Sequence, residues 1–174
     1  MLKIFVNTWG NYNVNGADGG RWIDLPMDPD DLAEMLESIA DAMGDNDPEW
    51  TIHDYEWSDS FDGGEISEYA NIEELNEYAQ QLEDLDKWDL ETYAAAVEYW
   101  GREYVDIDDI GDYNLYSDIQ DNYDLGYYWA VESGCYDLSG MGNLANYFDY
   151  EAFGRDINLE SDGGFTSFGW IERC

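Results

Sequence analysis

The sequence predicts an α+β protein built from three small domains, and three observations lead to this prediction. The first 60 residues contain three extended segments and one strongly amphipathic helix. Residues 61–103 contain two amphipathic helices with no strand signal between them. After residue 104, short helical and extended patterns are mixed and end in an extended segment. We therefore expect domains at 1–60, 61–103 and 104–174: a three-stranded antiparallel sheet with a helix, a helical middle domain, and a mixed C-terminal domain.

The first predicted domain holds three strands and one helix. Three segments with alternating polarity are the strands: Leu2–Trp9, Arg21–Met27 and Trp50–Trp57. A segment rich in Asn and Gly, residues 11–20, is typical of a loop. Asp28 is a favourable N-cap, Pro29 suits the first helical position, and Gly44 suits the C-terminal end. We therefore expect a helix between Asp28 and Gly44.

The remainder of the chain is predicted to be helical in the middle domain and mixed in the last one. Asn71 caps one helix, and a second over Asp89–Trp100 stops at Gly101. The last domain has three predicted helices and two predicted strands: helices at Asp121–Ser133, Asn143–Phe148 and Asp149–Leu159, and strands at Tyr113–Ile119 and Gly164–Glu172.

The composition excludes a disordered chain but is unusual in the sign of its charge. Hydrophobic residues make up 44% of the 174, including 8 Trp, 15 Tyr and 6 Phe, which is enough apolar surface for a packed core. There are 42 Asp or Glu and only 6 Lys or Arg, a net charge of −36. The three predicted domains carry −12, −11 and −13, so the charge belongs to the whole chain and not to an acidic tail.

The distribution of basic, apolar and cysteine residues excludes several classes of partner and compartment. Nucleic acid binding needs clustered Lys and Arg, whereas the six basic residues are scattered, and an anionic membrane would repel this chain. We find no run of 18 apolar residues and no secretory signal pattern, so we expect no membrane span. Cys135 and Cys174 are too few for a disulfide framework and suggest reduced thiols in a cytoplasmic protein.

Motifs for catalysis, metal or cofactor binding are weak. The nearest approach to a calcium loop begins at Asn11 and has Trp22 where a bidentate Glu is needed. His53 is the sole histidine and has no recognisable nucleophile pattern, so a structural strand residue is the preferred interpretation. No phosphate-binding glycine loop followed by Lys is present. We predict no catalytic residue, no metal site and no cofactor, although a pair of catalytic carboxylates stays open among 42 acids.

The amount of negative charge approaches that of DNA. A folded chain of this mass exposes roughly 8,700 Å², so one net charge falls on about 240 Å². B-DNA carries one charge per ~110 Å², so the average density is about half that of DNA. Outward acids one helical turn apart destabilise a helix, and solubility needs far less charge. This cost in stability indicates either that the negative electrostatic field has a function or that the protein is adapted to high salt.

Three segments of the chain resemble the ArdA family of antirestriction proteins. They occur in the family's order and span nearly the whole chain: NTWGNYNVNGADGGRWIDLPMD, IHDYE and NYFDYEAFGRDI. The resemblance implies a small acidic homodimer, carried by mobile elements or phage, that mimics bent B-form DNA. It implies that the protein occupies the DNA-binding groove of type I restriction–modification enzymes without catalysis. It also implies an elongated, curved body of three domains that dimerises through the C-terminal domain.

Two groups of residues are the candidate functional sites. The resemblance places the family's antirestriction motif at five residues: Asn146, Tyr147, Asp149, Tyr150 and Glu151. We interpret the motif mainly as a core or dimer contact, with Asp149 and Glu151 supplying charge. The candidate phosphate mimics that contact a restriction enzyme are the outward helical acids Asp31, Glu34, Glu37, Asp41, Glu73, Glu74 and Glu77, with Asp109 and Asp112 added to them.

Two other classes of function stay open at this stage. One is an acidic interaction protein or chaperone for another basic protein, which would show no selectivity for restriction enzymes. The other is a carboxylate-dependent hydrolase, in which one or two acid-to-amide changes would abolish activity. A mimic should instead lose activity gradually as many acids are neutralised.

Overall fold

The chain folds into two compact units, Met1–Asp86 and Lys87–Cys174. The computed structural model describes residues 2–58, 61, 63–136 and 138–174. The predicted domain boundary between residues 60 and 61 lies beside positions 59, 60 and 62, which are outside the described residues. The two helices of the predicted middle domain belong to different units. The fold class is α+β as predicted, and the division into three domains stays a prediction.

A three-stranded antiparallel sheet forms the first unit, as the sequence predicts. Its strands are β1 (Leu2–Thr8), β2 (Arg21–Leu25) and β3 (Trp50–Trp57), in the order β2-β1-β3. Ile4 on the central strand lies opposite Ile23 and Tyr55 on the two neighbours. The alternation of β1 places Leu2, Ile4 and Val6 in the core, where all three are fully buried.

Two amphipathic helices cover the core of this unit. Helix α2 (Pro29–Met43) begins at the cap that the sequence predicts, because the Asp28 side chain accepts a hydrogen bond from the Asp30 amide at 2.9 Å. It ends at Gly44, whose left-handed backbone closes the last turn. Helix α3 (Ile72–Asp84) begins at Asn71, whose side chain accepts from the Glu74 amide. The apolar sides of both helices pack into the same cluster as the sheet.

The prediction of a loop over residues 11–20 is wrong in its first half. Trp9–Asn15 forms a short helix, here α1, before the chain turns at Gly16. The Thr8 hydroxyl accepts from the Asn11 amide, and the Asn11 side chain donates to Asn7 Oδ1 at 2.9 Å. Side-chain amides therefore supply hydrogen bonds that fix a helical turn where composition alone indicates a loop.

A buried asparagine joins α3 to the segment between β2 and α2. Asn76 accepts from the Met27 amide at 2.9 Å and donates to the Met27 carbonyl at 2.8 Å. Both backbone groups of Met27 are thereby satisfied by one side chain, which itself is buried.

Asn76→Ala is expected to lower the free energy of unfolding by about 1–3 kcal/mol, because it leaves the Met27 backbone groups without these partners. Gln81→Ala, at an exposed position of the same helix, should change it by less than about 0.5 kcal/mol. Urea unfolding of both variants provides the measurement. Equal unfolding midpoints would contradict this role for Asn76.

The second unit contains a second antiparallel sheet beside helix α4 (Lys87–Trp100). The strands are β4 (Tyr113–Tyr116), β5 (Gly163–Thr166) and β6 (Gly169–Arg173), in the order β4-β6-β5. The predicted single strand Gly164–Glu172 is therefore wrong, because it is a hairpin. Its turn requires the positive φ of 135° at Gly169, which a glycine adopts without strain. Trp170, fully buried, anchors β6 in the core.

Helical segments between β4 and β5 follow the predicted positions with two differences. The predicted helix Asp121–Ser133 is α5 (Asn122–Tyr127), which continues as a π-helical turn over Tyr128–Glu132. The predicted short helix Asn143–Phe148 is part of a longer 3₁₀ segment, Ser139–Tyr147, kinked at Gly142. Helix α6 (Tyr150–Glu160) matches the last predicted helix. Two further 3₁₀ segments, Arg102–Tyr104 and Ile107–Asp112, precede β4.

Helices α5 and α6 cross at two glycines with their backbones in contact. A Cβ atom on Gly154 would overlap the Asn122 carbonyl oxygen, and one on Gly126 would overlap the Tyr150 carbonyl oxygen. This approach fixes the start of α6, which carries the last residues of the ArdA-like motif.

Candidate functional site

The acidic side chains lie on the surface of both units. Of the 39 Asp and Glu residues within the described part of the chain, 34 are exposed, five are half-buried and none is buried. The accessible surface is 10495 Å², which gives about one net negative charge per 290 Å². This is a lower average density than the sequence predicts, and about four tenths of that of B-DNA.

One side of α2 carries a continuous row of carboxylates. Asp30, Glu34, Glu37 and Asp41 are all exposed and follow one another at helical spacing, opposite the buried Leu36. Three of these four are predicted contacts. Asp30 is not among the candidates named from the sequence, although the same periodicity includes it. A helical rise of 1.5 Å per residue gives the row a length of about 16 Å.

Asp31 and Glu34 also border a groove at the edge of β2. This groove has a volume of about 740 Å³ and contains Arg21, Trp22 and Met35. Asp31 therefore lies to one side of the row on α2 and shares this groove with an exposed indole.

The predicted acids of α3 lie on its exposed first two turns. Glu73 and Glu77 border a crevice of about 70 Å³ together with Pro29 and Ala33 of α2, so the acids of α2 and α3 lie on adjoining surfaces. Glu74 is exposed on the same helix. Seven of the nine predicted contacts thus lie on the first unit, four on α2 and three on α3: Asp31, Glu34, Glu37, Asp41, Glu73, Glu74 and Glu77.

The other two predicted contacts lie in the second unit. Asp109 and Asp112 are exposed on the 3₁₀ segment Ile107–Asp112. Burial raises the pKa of the nearby Tyr113 hydroxyl, Arg173 opposes this rise, and the carboxylates of Asp109 and Asp112 add to it.

The nine candidate carboxylates have no partner among the described residues. None accepts a side-chain hydrogen bond or forms an ion pair in that part of the chain. Basic side chains pair elsewhere: Lys3 with Asp24 at 3.4 Å, Lys87 with Glu91 at 3.4 Å, and Arg155 with Asp156 at 3.2 Å. The candidate acids therefore present their full charge to solvent or to a partner.

A different set of aspartates has a structural role. Asp28, Asp106, Asp121 and Asp149 each cap a helical segment by accepting a hydrogen bond from a backbone amide two or three residues later. Each N-cap stabilises its helix by about 1 kcal/mol. These four aspartates therefore contribute to the stability of the fold as well as to its charge.

The motif residues surround the start of α6. Asn146 and Tyr147 end the 3₁₀ segment Ser139–Tyr147, Asp149 caps α6 by accepting from the Ala152 amide at 3.0 Å, and Tyr150 and Glu151 open the helix. Asn146 and Glu151 are exposed. Asp149 is therefore part of the helix start as well as a charge, a capping role that the sequence interpretation does not include.

Aromatic side chains next to the motif form a partly exposed cluster. Tyr150 contacts Tyr123, Tyr127 and Phe148 with ring centroids 5.7, 5.4 and 5.1 Å apart. Tyr147 is 83% exposed and so contributes little to the core of its own unit. Partly exposed rings therefore pack around Tyr150 of the motif, and the Tyr147 ring is mostly exposed.

The comparison with protein families identifies the family of this chain. The family model described as antirestriction protein (ArdA) matches residues 4–172 of the 174. The chain belongs to the ArdA family. No curated relative matches the chain. Antirestriction proteins of this family inhibit restriction–modification enzymes, so such an enzyme is the class of target.

Among the described residues, no three His, Cys, Asp or Glu side chains are close enough to hold a metal ion. His53 stacks on Tyr12 with ring centroids 4.2 Å apart and packs near Trp9. The Asn11 side chain donates to Asn7 Oδ1 and to the Asp18 carbonyl, and its Oδ1 accepts from the Asn15 side-chain amide at 2.9 Å. The helices of the described residues lack the combined length and apolar character that a membrane span needs.

The structure makes the role of Asp149 in the ArdA motif testable. Asp149→Asn keeps the capping oxygen but removes the charge, so the free energy of unfolding should change by less than about 0.5 kcal/mol. Asp149→Ala removes the cap and should lower it by about 1 kcal/mol. Thermal unfolding combined with an inhibition assay separates the two roles. An Asn variant that is less stable than the Ala variant would contradict the capping role.

Proposed function

We propose that the protein is a non-catalytic inhibitor of type I restriction–modification enzymes and occupies their DNA-binding groove as a mimic of DNA. The observation that carries this proposal is the row of exposed, unpaired carboxylates on α2, with the acids of α3 beside it. Because restriction enzymes act on intracellular DNA, the cytoplasm is the proposed place of action.

The spacing of the row is compatible with contacts made for phosphates. Three steps over about 16 Å give one carboxylate per ~5.5 Å of helix, whereas one DNA strand carries a phosphate per 3.4 Å of axis. The row alone is thus sparser than a DNA strand, and Glu73 and Glu77 on the adjoining surface add charge beside it. Lys and Arg side chains placed for phosphates have enough reach to pair with such carboxylates.

The affinity would come from many modest contacts. Each exposed ion pair contributes about 0.2–1 kcal/mol, so no single acid should be essential. A strong negative field also accelerates association with a basic groove. A catalytic mechanism would instead depend on one or two carboxylates with special surroundings.

We further propose that the protein acts as a homodimer through its second unit. Exposed apolar side chains concentrate near the motif: Tyr123, Tyr136, Met141, Leu144 and Tyr147. Exposed aromatic and Met side chains are typical of protein interfaces. Sedimentation equilibrium should give a mass of about 40 kDa, twice the 20.1 kDa of the chain. A mass of one chain at micromolar concentration would contradict the dimer.

Direct binding at several salt concentrations tests the electrostatic mechanism. The dissociation constant for a purified type I enzyme, measured without DNA, should rise by about 10- to 1,000-fold between 50 and 200 mM salt. A basic DNA-binding protein of unrelated fold serves as the control, and it should bind much more weakly at 200 mM. An unchanged dissociation constant for the enzyme would contradict the mechanism, and equal binding of the control would favour a general partner of basic proteins.

A further inference from the structure

A cavity in the second unit combines aromatic walls with carboxylates and lies apart from the acids discussed above. It has a volume of about 490 Å³. Trp88 of α4 and Tyr127 and Tyr128 of the α5 region contribute aromatic walls, and Asp118, Asp124 and Glu132 contribute acids. No basic side chain lines it among the described residues, although Lys87 is adjacent in sequence to Trp88 and instead pairs with Glu91.

The two tyrosine walls, Tyr127 and Tyr128, are held in place by contacts with other rings. Tyr127 stacks on Tyr123 at a centroid distance of 6.4 Å and meets the Tyr150 ring at 5.4 Å. Tyr128 meets Tyr116 at 5.3 Å and Trp129 at 5.7 Å. The two tyrosine rings therefore do not need to be ordered when a ligand binds, which lowers the entropic cost of binding.

The three carboxylates of the cavity differ in their exposure and in their hydrogen bonds. Asp124 is half-buried and accepts a hydrogen bond from the Gln120 amide at 3.2 Å, so its position is fixed. Asp118 and Glu132 are exposed and have no partner among the described residues. Two free acids and one fixed acid thus border the same aromatic surface.

This combination selects for an organic cation. Aromatic faces attract cations, and a planar guanidinium both stacks on such faces and donates hydrogen bonds to carboxylates. A hydrated metal ion would gain little from the indole and phenol rings, and an anion would be repelled by the three acids. The indole of Trp88, 54% exposed, is open to a ligand that enters the cavity.

We propose that this cavity binds one arginine side chain of the restriction enzyme, with the guanidinium against the aromatic walls and between Asp118 and Glu132. The assignment of the occupant rests on the proposed function, whereas the binding of a guanidinium by the cavity does not. The cavity would add a contact of defined geometry to a surface that otherwise acts through charge density.

A small probe tests the cavity without any enzyme. N-methylguanidinium is titrated into the full-length protein while the Trp88 indole signal, assigned with Trp88→Phe, is followed by NMR. The neutral isostere N-methylurea is the ligand control. We expect a saturable shift of this signal with the guanidinium and none with the urea. Equal responses to both probes would overturn the proposal.

Charge-matched variants separate the cavity from the general acidic surface. Asp118→Asn with Glu132→Gln should raise the dissociation constant of the probe at least about fivefold. Asp108→Asn with Glu160→Gln removes the same charge from exposed positions outside the cavity and should change it less than about twofold. Equal weakening in the two double variants would overturn the proposal, because the probe would then be reporting only the overall field.

The same variants test the occupant with a type I enzyme. The cavity pair should weaken binding of the enzyme about three- to tenfold more than the control pair. Equal weakening of enzyme binding, with probe binding still dependent on the cavity, would overturn the assignment to a restriction-enzyme arginine. A wild-type protein that binds the probe but not the enzyme would overturn the proposed function, and the occupant with it.

Discussion

Neutralising the carboxylate row on α2 is expected to weaken binding to a type I enzyme while making the protein more stable. The triple variant Glu34→Gln, Glu37→Gln and Asp41→Asn removes three unpaired charges from the exposed side of the helix. At about 0.2–1 kcal/mol per contact, the dissociation constant should rise by about 3- to 150-fold. Single changes should each cost less than about fivefold.

The free energy of unfolding of the triple variant should rise although its binding weakens, because repulsion between neighbouring acids on α2 is removed. Like charges three or four residues apart destabilise a helix by about 0.2–0.5 kcal/mol per pair, and the triple variant relieves the pairs along the row. Asp30 is retained because an acid in the first turn favours the helix dipole. We therefore expect the free energy of unfolding to rise by about 0.5–1.5 kcal/mol.

A charge-conserving triple variant is the matched control. Glu34→Asp, Glu37→Asp and Asp41→Glu alters the same three side chains but keeps their charge. Its dissociation constant for the enzyme should stay within about threefold of wild type. Complete loss of inhibition in any one single variant would indicate a carboxylate with a special role, as in a hydrolase, and would contradict the mimic.

Gly154→Ala is expected to destabilise the second unit by about 3–5 kcal/mol, although the same change in an ordinary helix stabilises it by up to about 1 kcal/mol. The added Cβ would overlap the Asn122 carbonyl oxygen and lie 2.6 Å from the Gly126 nitrogen. Both contacts involve backbone atoms of α5, so a side-chain rotation would not relieve them and the two helices must separate.

Gly111→Ala is the matched control for this prediction. A Cβ at Gly111 meets nothing within 4 Å, and the residue lies in the same unit. Its free energy of unfolding should change by less than about 1 kcal/mol in chemical denaturation. A Gly154→Ala protein as stable as this control would show that α5 and α6 do not cross in the way described.

Features set by neighbouring residues are the ones that the sequence predicts well. Asp28, Asn71 and Gly44 mark helix ends because their capping chemistry is local, and the row on α2 follows from the spacing of its acids. The hairpin at Gly169 is missed because polarity alternates on both sides of a short turn. Helix α1 is missed because its support comes from the hydrogen bonds of Thr8 and Asn11.

Local sequence patterns do not predict contacts between residues that are far apart in the chain. Gly126 and Gly154 are in contact because two helices cross. The sequence around either glycine does not predict that it contacts the other. The cavity likewise combines Trp88, Asp118 and Glu132 from three segments. The capping role of Asp149 has a visible signal, since an Asp directly before a helix is a favourable N-cap.

The most direct test of the central claim is a competition between this protein and DNA for one site. A fluorescent duplex bound to a type I enzyme is displaced with increasing protein, and the apparent dissociation constant of the duplex is followed. We predict that it rises in proportion to the protein concentration without a plateau, and that no complex contains enzyme, duplex and protein together. A stable ternary complex, or a plateau in that rise, would contradict occupation of the DNA-binding groove.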